Sequence, residues 1–246
     1  MTEELLPIAV GFVALAIVTV GAVSVALARG ARLAPTAGAR ASRIPAMALA
    51  LSIGWLALVV LLARAGFFQA VSLPPRIPLA AVSVTMALGL LTKRKALAAL
   101  FAPMPLAWLI AFQSFRVPIE LLLWALHRAG SIPKHMTFEG RNFDVLVGLS
   151  APVLAWLLQQ GKVGSRTVLL WNVASLGLLA NIVIMAITSL PGPIHLAWDG
   201  PLPFIIAEAP FIWLPTWFVP LAITGHVLVF RRLSKLAHGA PALAPK

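Results

Sequence analysis

Arg116 and Glu120 stand four residues apart in AFQSFRVPIELLLWALHRAG, residues 111–130, a stretch otherwise apolar enough for hydrocarbon. On a helix successive residues turn by about 100°. Gln113, Arg116, Glu120, Trp124 and His127 follow at spacings of 3, 4, 4 and 3 and therefore share one narrow face. A guanidinium at the centre of a membrane helix costs about 2.5–3.5 kcal/mol on insertion scales. That cost predicts a face turned into a helix bundle, where Arg116 and Glu120 neutralise each other. Two chemistries are open to such a pair. Arg116 is an anchor for an anion and Glu120 a proton acceptor, or the pair only fixes helix packing, with Gln113 as an interhelical hydrogen bond. Pro118 removes the donor for the Ser114 carbonyl and bends the helix where side chains or water can replace that bond.

Further polar residues gather toward the same end. Asn181 falls near the middle of its apolar run and Glu208 near the end of another, so the expected ligand-binding set is Gln113, Arg116, Glu120, Asn181 and Glu208. The segment SIPKHMTFEGRNFDVLVGL, 131–149, is the most polar connection on that side. With His127 it supplies an expected mouth of His127, His135, Glu139, Arg141 and Asp144. Here Gly140 suits a turn with positive φ, Asn142 or Asp144 suits a helix cap, and Glu139 can pair with Arg141. The functional reading is a lid over the polar stripe, shared with His195 and Asp199 of HLAWDG; the bland one is a solvated connection. His226 reads as a packed neutral histidine. Asn172 and Ser175 share one face of their run and Asn181 and Thr188 another, as in a central helix.

Other chemistries find little purchase. No pair of these histidines and carboxylates has a tight zinc spacing such as H-E-x-x-H, so no metal is expected. There is no G-x-S-x-G and no Gly-rich phosphate loop. With 0 Cys there is no thiolate nucleophile.

The elements that must position these residues are membrane helices. Of 246 residues 61% are hydrophobic and only 11% charged, with a mean hydropathy of +0.97. Soluble domains carry roughly a quarter charged residues. Runs approaching the roughly 20 residues needed to cross a bilayer fall at about 5–28, 46–67, 77–92, 105–129, 144–160, 167–190 and 204–230. ALAALFAPMP, before the fourth run, reads as a short helix broken at Pro103 and Pro105. Prolines 210, 215 and 220 predict a kinked last span. The acidic start MTEELLPIAVGF puts the first positive charge, Arg29, after the apolar run, the reverse of a signal peptide, so the first run reads as a retained span.

The net charge of +12 sits in loops, not on a basic face interleaved with aromatics, so nucleic acid is not an expected partner. Arg29, Arg32, Arg40, Arg43, Lys93, Arg94, Lys95, Lys162, Arg166 and the basic residues after the last run fall on one side. Only Arg64, Arg76, Arg128, Lys134 and Arg141 fall on the other. Positive-inside bias then places the N-terminus outside and the C-terminus in the cytoplasm. Residues 236–246 read as a disordered tail after one membrane domain, 1–235. Seven spans in this orientation resemble the microbial rhodopsins in outline. That family holds retinal on a lysine of its seventh helix, where this chain has none, so the likeness is topological and no cofactor is implied.

The expectation is an all-α, seven-helix bundle of the cytoplasmic membrane, in contact with the lipid bilayer. Its outward-facing pocket would bind or transport a small polar ligand, an anion at Arg116 included. The alternatives are an intramembrane enzyme acting on lipid at the outer leaflet, using His127, His135, Glu139, Asp144 and Glu208, and a structural partner subunit.

Overall fold

A computed structural model describes residues 3–34, 42–69, 75–191, 194–196 and 198–237. It is helical, with no strand among the described residues. The helices are α1 (Leu5–Leu33), α2 (Ile44–Arg64), α3 (Arg76–Leu91), α4 (Lys95–Phe101), α5 (Leu106–Ala111), α6 (Arg116–Arg128), α7 (Asp144–Gln159), α8 (Ser165–Ser189) and α9 (Val219–Ala237). A 3-10 turn, Phe112–Phe115, joins α5 to α6, and a π-turn, Leu214–Phe218, leads into α9.

Five helical stretches are long and apolar enough to cross a membrane: α1, α2, Leu106–Arg128, α8 and Leu214–Ala237. A sixth arises if α3 and α4, bent by 83°, count as one span. Their outward faces are apolar: Ile17, Leu61 and Leu170 are 68%, 65% and 71% exposed. Apolar belts of that kind on helices are surfaces for lipid. The fold is therefore that of a helical membrane protein.

Prolines set the breaks. Pro103 and Pro105 separate α4 from α5 as expected. Pro220 has no N–H for the Thr216 carbonyl, and the indole of Trp55 on α2 donates to that oxygen instead at 3.0 Å. Trp213 donates back to the Leu56 carbonyl at 3.1 Å, and Trp217 donates to Thr19 on α1 at 3.0 Å. Three indoles thus tie the π-turn to α1 and α2. The last long helix runs 214–237, not the expected 204–230, because residues 204–213 spend themselves in a 3-10 turn and further turns. The main core packs Phe12, Phe115, Leu123, Phe211 and Phe218 between α1, α6 and α9, with Phe12 edge-on to Phe211 at 5.4 Å. Arg231 of α9 reaches Thr92 and the Gly89 carbonyl, fastening the end of α3.

The expected span at 144–160 differs most. α7 has 16 residues, about 24 Å at 1.5 Å per residue, against a hydrocarbon core of about 30 Å. It starts beside Arg116, midway along the 106–128 span, and packs its Ala151, Leu154 and Ala155 with Ala107 and Ile110. The half toward Arg128 is filled by the segment 129–143. Gly130, at φ 70°, ends α6, with Ser131 N–H bonded to the Leu126 carbonyl at 2.9 Å. The chain then folds back among the helices, burying Ile132, Met136, Thr137 and Asn142. This segment is packed on one side and solvated on the other: His135, Thr137 and Asn142 are buried, whereas Lys134, Glu139 and Arg141 are exposed. Of the predicted tail, 236 and 237 end α9 and 238–246 lie outside the described residues.

Candidate functional site

Gln113, Arg116 and Glu120 do share a buried face: Arg116 and Glu120 are each 1% exposed and Gln113 is fully enclosed. The expected pairing of Arg116 with Glu120 is corrected. Arg116 gives Nε and Nη2 to the two carboxylate oxygens of Asp144, a bidentate ion pair between α6 and α7. The physical reason is direction. Side chains on a helix lean toward its N-terminus, so Arg116 leans away from Glu120, one turn further on. Arg-then-Glu is also the weaker order for such a pair. Glu120 instead accepts from Asn142 Nδ2, at 2.8 and 2.7 Å to its two oxygens.

The cluster continues to α9 and α8. Arg116 Nη1 lies 3.2 Å from His226 Nε2. A guanidinium only donates, so Nε2 accepts and the proton sits on Nδ1. Nδ1 then donates to Asn172 Oδ1 at 2.8 Å, and Asn172 Nδ2 donates to the His226 carbonyl at 3.2 Å. His226 is thus packed and neutral, and it is also the far end of a chain running Asp144–Arg116–His226–Asn172. Asn142 joins the two halves, since its Oδ1 accepts the Asp144 N–H, the first of α7, at 3.1 Å. Gln113 Nε2 donates to the Ala222 carbonyl at 3.1 Å. Its Oε1 is the one buried side-chain polar atom without a protein partner among the described residues.

The remaining expected residues lie elsewhere. Asn181 is half-buried and donates to the Arg141 carbonyl at 2.9 Å. Glu208 is exposed, just past the 3-10 turn 204–207. The five expected ligand residues therefore do not line one cavity. In the expected mouth, Glu139 and Arg141 do not pair: Glu139 accepts from Trp124 Nε1 at 2.7 Å, and the Arg141 guanidinium lies 5.5 Å from the Trp198 ring centre. His127 Nδ1 donates to the Ile132 carbonyl at 3.0 Å, and His195 Nδ1 to that of Leu190 at 3.2 Å. Gly140 has no positive φ; its need is closeness, because a Cβ there would stand 2.4 Å from the Lys134 carbonyl. His135 is buried against Trp198, ring centres 4.4 Å apart, with Nε2 2.7 Å from Ser189 Oγ. Ser189 uses its own proton on the Met185 carbonyl, so His135 donates here. Burial holds the His135 imidazole below its usual range, the Arg141 charge adds to that, and Asp199 opposes it.

One cavity adjoins the cluster, and a second adjoins the first. The first, of about 110 Å³, lies between α3, α8 and the π-turn. Arg116, Glu120 and Asp144 contribute to its wall, but nearly all the surface it offers is apolar, from side chains such as Ile77, Ile182, Ala186 and Phe218. The second, of about 300 Å³, mixes Phe68 and Phe204 with Gln69, Arg76 and Glu208. Ile77, Pro78 and Leu190 line both, so the cavities share a wall.

Asp144 was expected at the outer mouth, and its role as counter-ion of Arg116 escaped the sequence reading because it looked like a loop residue capping a span. The available signal was that the helix it opens is too short to cross. His226 and Asn172 lie 110 and 56 residues from Arg116 along the chain, and nothing in spacing connects them.

A closed ionic cluster inside helices whose outer faces are apolar defines the class: a helical membrane protein with a polar interior. The chain belongs to the family described as domain of unknown function DUF8737, whose profile matches residues 74–234. Every residue of the Arg116 cluster falls inside that match. No curated protein and no solved structure matches the chain.

Proposed function

We propose that the chain crosses the cytoplasmic membrane seven times, N-terminus outside, and binds an amphiphilic ligand whose apolar part occupies the 110 Å³ cavity. The crossing count takes α3 with its bent continuation α4 as one span, and α7 with residues 137–143 ahead of it as another. The excess of Lys and Arg at the C-terminal end of α1, at the bend between α3 and α4, between α7 and α8 and in the last turns of α9 supports that orientation. Reporters requiring the cytoplasm after Lys235 and the exterior at Lys134 must both give signal; silence from either removes the seven-crossing map.

The observation that carries the ligand reading is the cavity wall. It is apolar although the ionisable side chains of Arg116, Glu120 and Asp144 stand behind it, because each of the three is already engaged. Arg116 has its Nε, Nη1 and Nη2 on Asp144 and His226, which leaves little to hold an anion. The expected small polar ligand is therefore narrowed to one whose polar end stays at the outer mouth and whose apolar end enters. A pocket between packed helices with apolar lining and few polar groups is where such ligands bind.

The test is lipid retention by the purified full chain, read by native mass spectrometry. Ala186→Trp fills the cavity and is expected to abolish retained lipid while the far-ultraviolet circular dichroism and the size-exclusion profile stay those of the parent. Retention at the parental stoichiometry in a folded Ala186→Trp protein overturns the reading.

A further inference from the structure

We infer that the second cavity is a headgroup site for a phospholipid carrying both a phosphodiester and a primary amine, with its chain entering the apolar cavity next door. The inference rests on the amphiphile reading above and names the chemistry of the polar end. The cavity brings together one guanidinium, one carboxylate and one amide: Arg76, Glu208 and Gln69. A neutral balance of opposite charges fits a zwitterion. An anionic headgroup would meet the Glu208 carboxylate, and a purely cationic one would meet Arg76.

Arg76 is held for this task. Its guanidinium lies 4.5 Å from the Phe67 ring centre, and Nη1 donates to the Phe67 carbonyl at 2.8 Å. One of its five donors is thereby fixed and the plane is set, which suits bidentate recognition of a phosphodiester. Glu208 is fixed through its backbone, its N–H on the Ile205 carbonyl at 3.0 Å and its own carbonyl on Ile212 N–H at 2.8 Å. Its carboxylate has no ion-pair partner among the described residues. A carboxylate accepts hydrogen bonds from a primary ammonium, whereas a quaternary ammonium has none to give. The shared wall of Ile77, Pro78 and Leu190 gives the chain of such a lipid a short path between the cavities.

The experiment exchanges the delipidated full chain into mixed micelles of three phospholipids with identical chains and different headgroups: ethanolamine, choline and glycerol. Retained lipid is read by native mass spectrometry. The expected order puts ethanolamine first. Arg76→Gln should lower its retention about ten-fold, the worth of one charge-assisted contact, with Arg76→Lys recovering part. Glu208→Gln should erase the preference of ethanolamine over glycerol while some lipid stays bound. Equal retention of all three by the parent, still lost on Ala186→Trp, overturns the headgroup assignment and leaves the apolar cavity reading standing. Absence of any retained lipid overturns both. Soluble glycerophosphoethanolamine displacing the lipid at equal concentration overturns the joining of the two cavities.

Discussion

Asp144→Asn strands the Arg116 guanidinium in the protein interior with its shape complement intact and its counter-charge gone. Removing one partner of a buried ion pair costs about 3–5 kcal/mol. The lower end applies here, because the amide oxygen of the substituted side chain can still accept one of the two donors and the backbone N–H still meets Asn142. A loss of about 3 kcal/mol lowers the folded-to-unfolded ratio more than a hundred-fold. The measurement is reversible unfolding in mixed micelles, run as a double-mutant cycle with Arg116→Gln. Gln keeps a donor for His226 Nε2, so the cycle removes the ion pair without orphaning the imidazole. In the double mutant the stranded charge is gone, and a coupling of about 2 kcal/mol between positions 116 and 144 is expected. The same cycle with Glu120→Gln should couple more weakly, since Glu120 makes its hydrogen bonds to Asn142 and interacts with Arg116 only through space. A larger coupling at 120 than at 144 refutes the assignment of Asp144 as the counter-ion.

Three further perturbations test the surroundings. A Cβ at Gly225 would stand 2.5 Å from Gln113 Nε2, so Gly225→Ala should displace the amide from the Ala222 carbonyl and cost about 1–3 kcal/mol, partly recovered by Gln113→Ala; unfolding in the same micelles reads both. Trp55→Phe removes the donor that replaces the missing Pro220 N–H and should cost about 1–3 kcal/mol, more than Trp213→Phe, whose acceptor Leu56 lies inside a regular helix; equal losses would show that the Thr216 carbonyl does not depend on the indole. His135 is held neutral below its usual 6.5. A base whose folded pKa is depressed contributes stability above the unfolded value and loses it as pH falls, so amide exchange across 131–143 should quicken below about pH 6.5, and His135→Gln should flatten that dependence.

What was legible in the sequence is whatever period and solvent decide. The hydrocarbon argument put Gln113, Arg116 and Glu120 on one enclosed face, and all three are buried. The prolines at 103 and 105 marked a real break, and Asn142 does meet the first N–H of α7, from one residue ahead of the cap position at Phe143. Illegible were the partners. A helical wheel shows which residues share a face but not which neighbour comes to meet them, so Glu120, at hand in the sequence, stood in for Asp144, 28 residues away. The same blindness hid the inner side of residues 129–143: Lys134, Glu139 and Arg141 are exposed, as a connecting loop would have them, but His135, Thr137 and Asn142 are enclosed. In the fold Asn142 answers Glu120, His135 answers Ser189 and Glu139 answers Trp124. A polar segment can enter the interior when every group it carries finds a partner there, and pairing across 22 or 54 residues leaves no trace in local spacing. Length was the one clue on offer: a 16-residue helix that opens on an aspartate is too short to be a span by itself. Something must therefore fill the other half of its path, and the segment before it, with Ile132, Met136, Thr137 and Asn142 buried, does so.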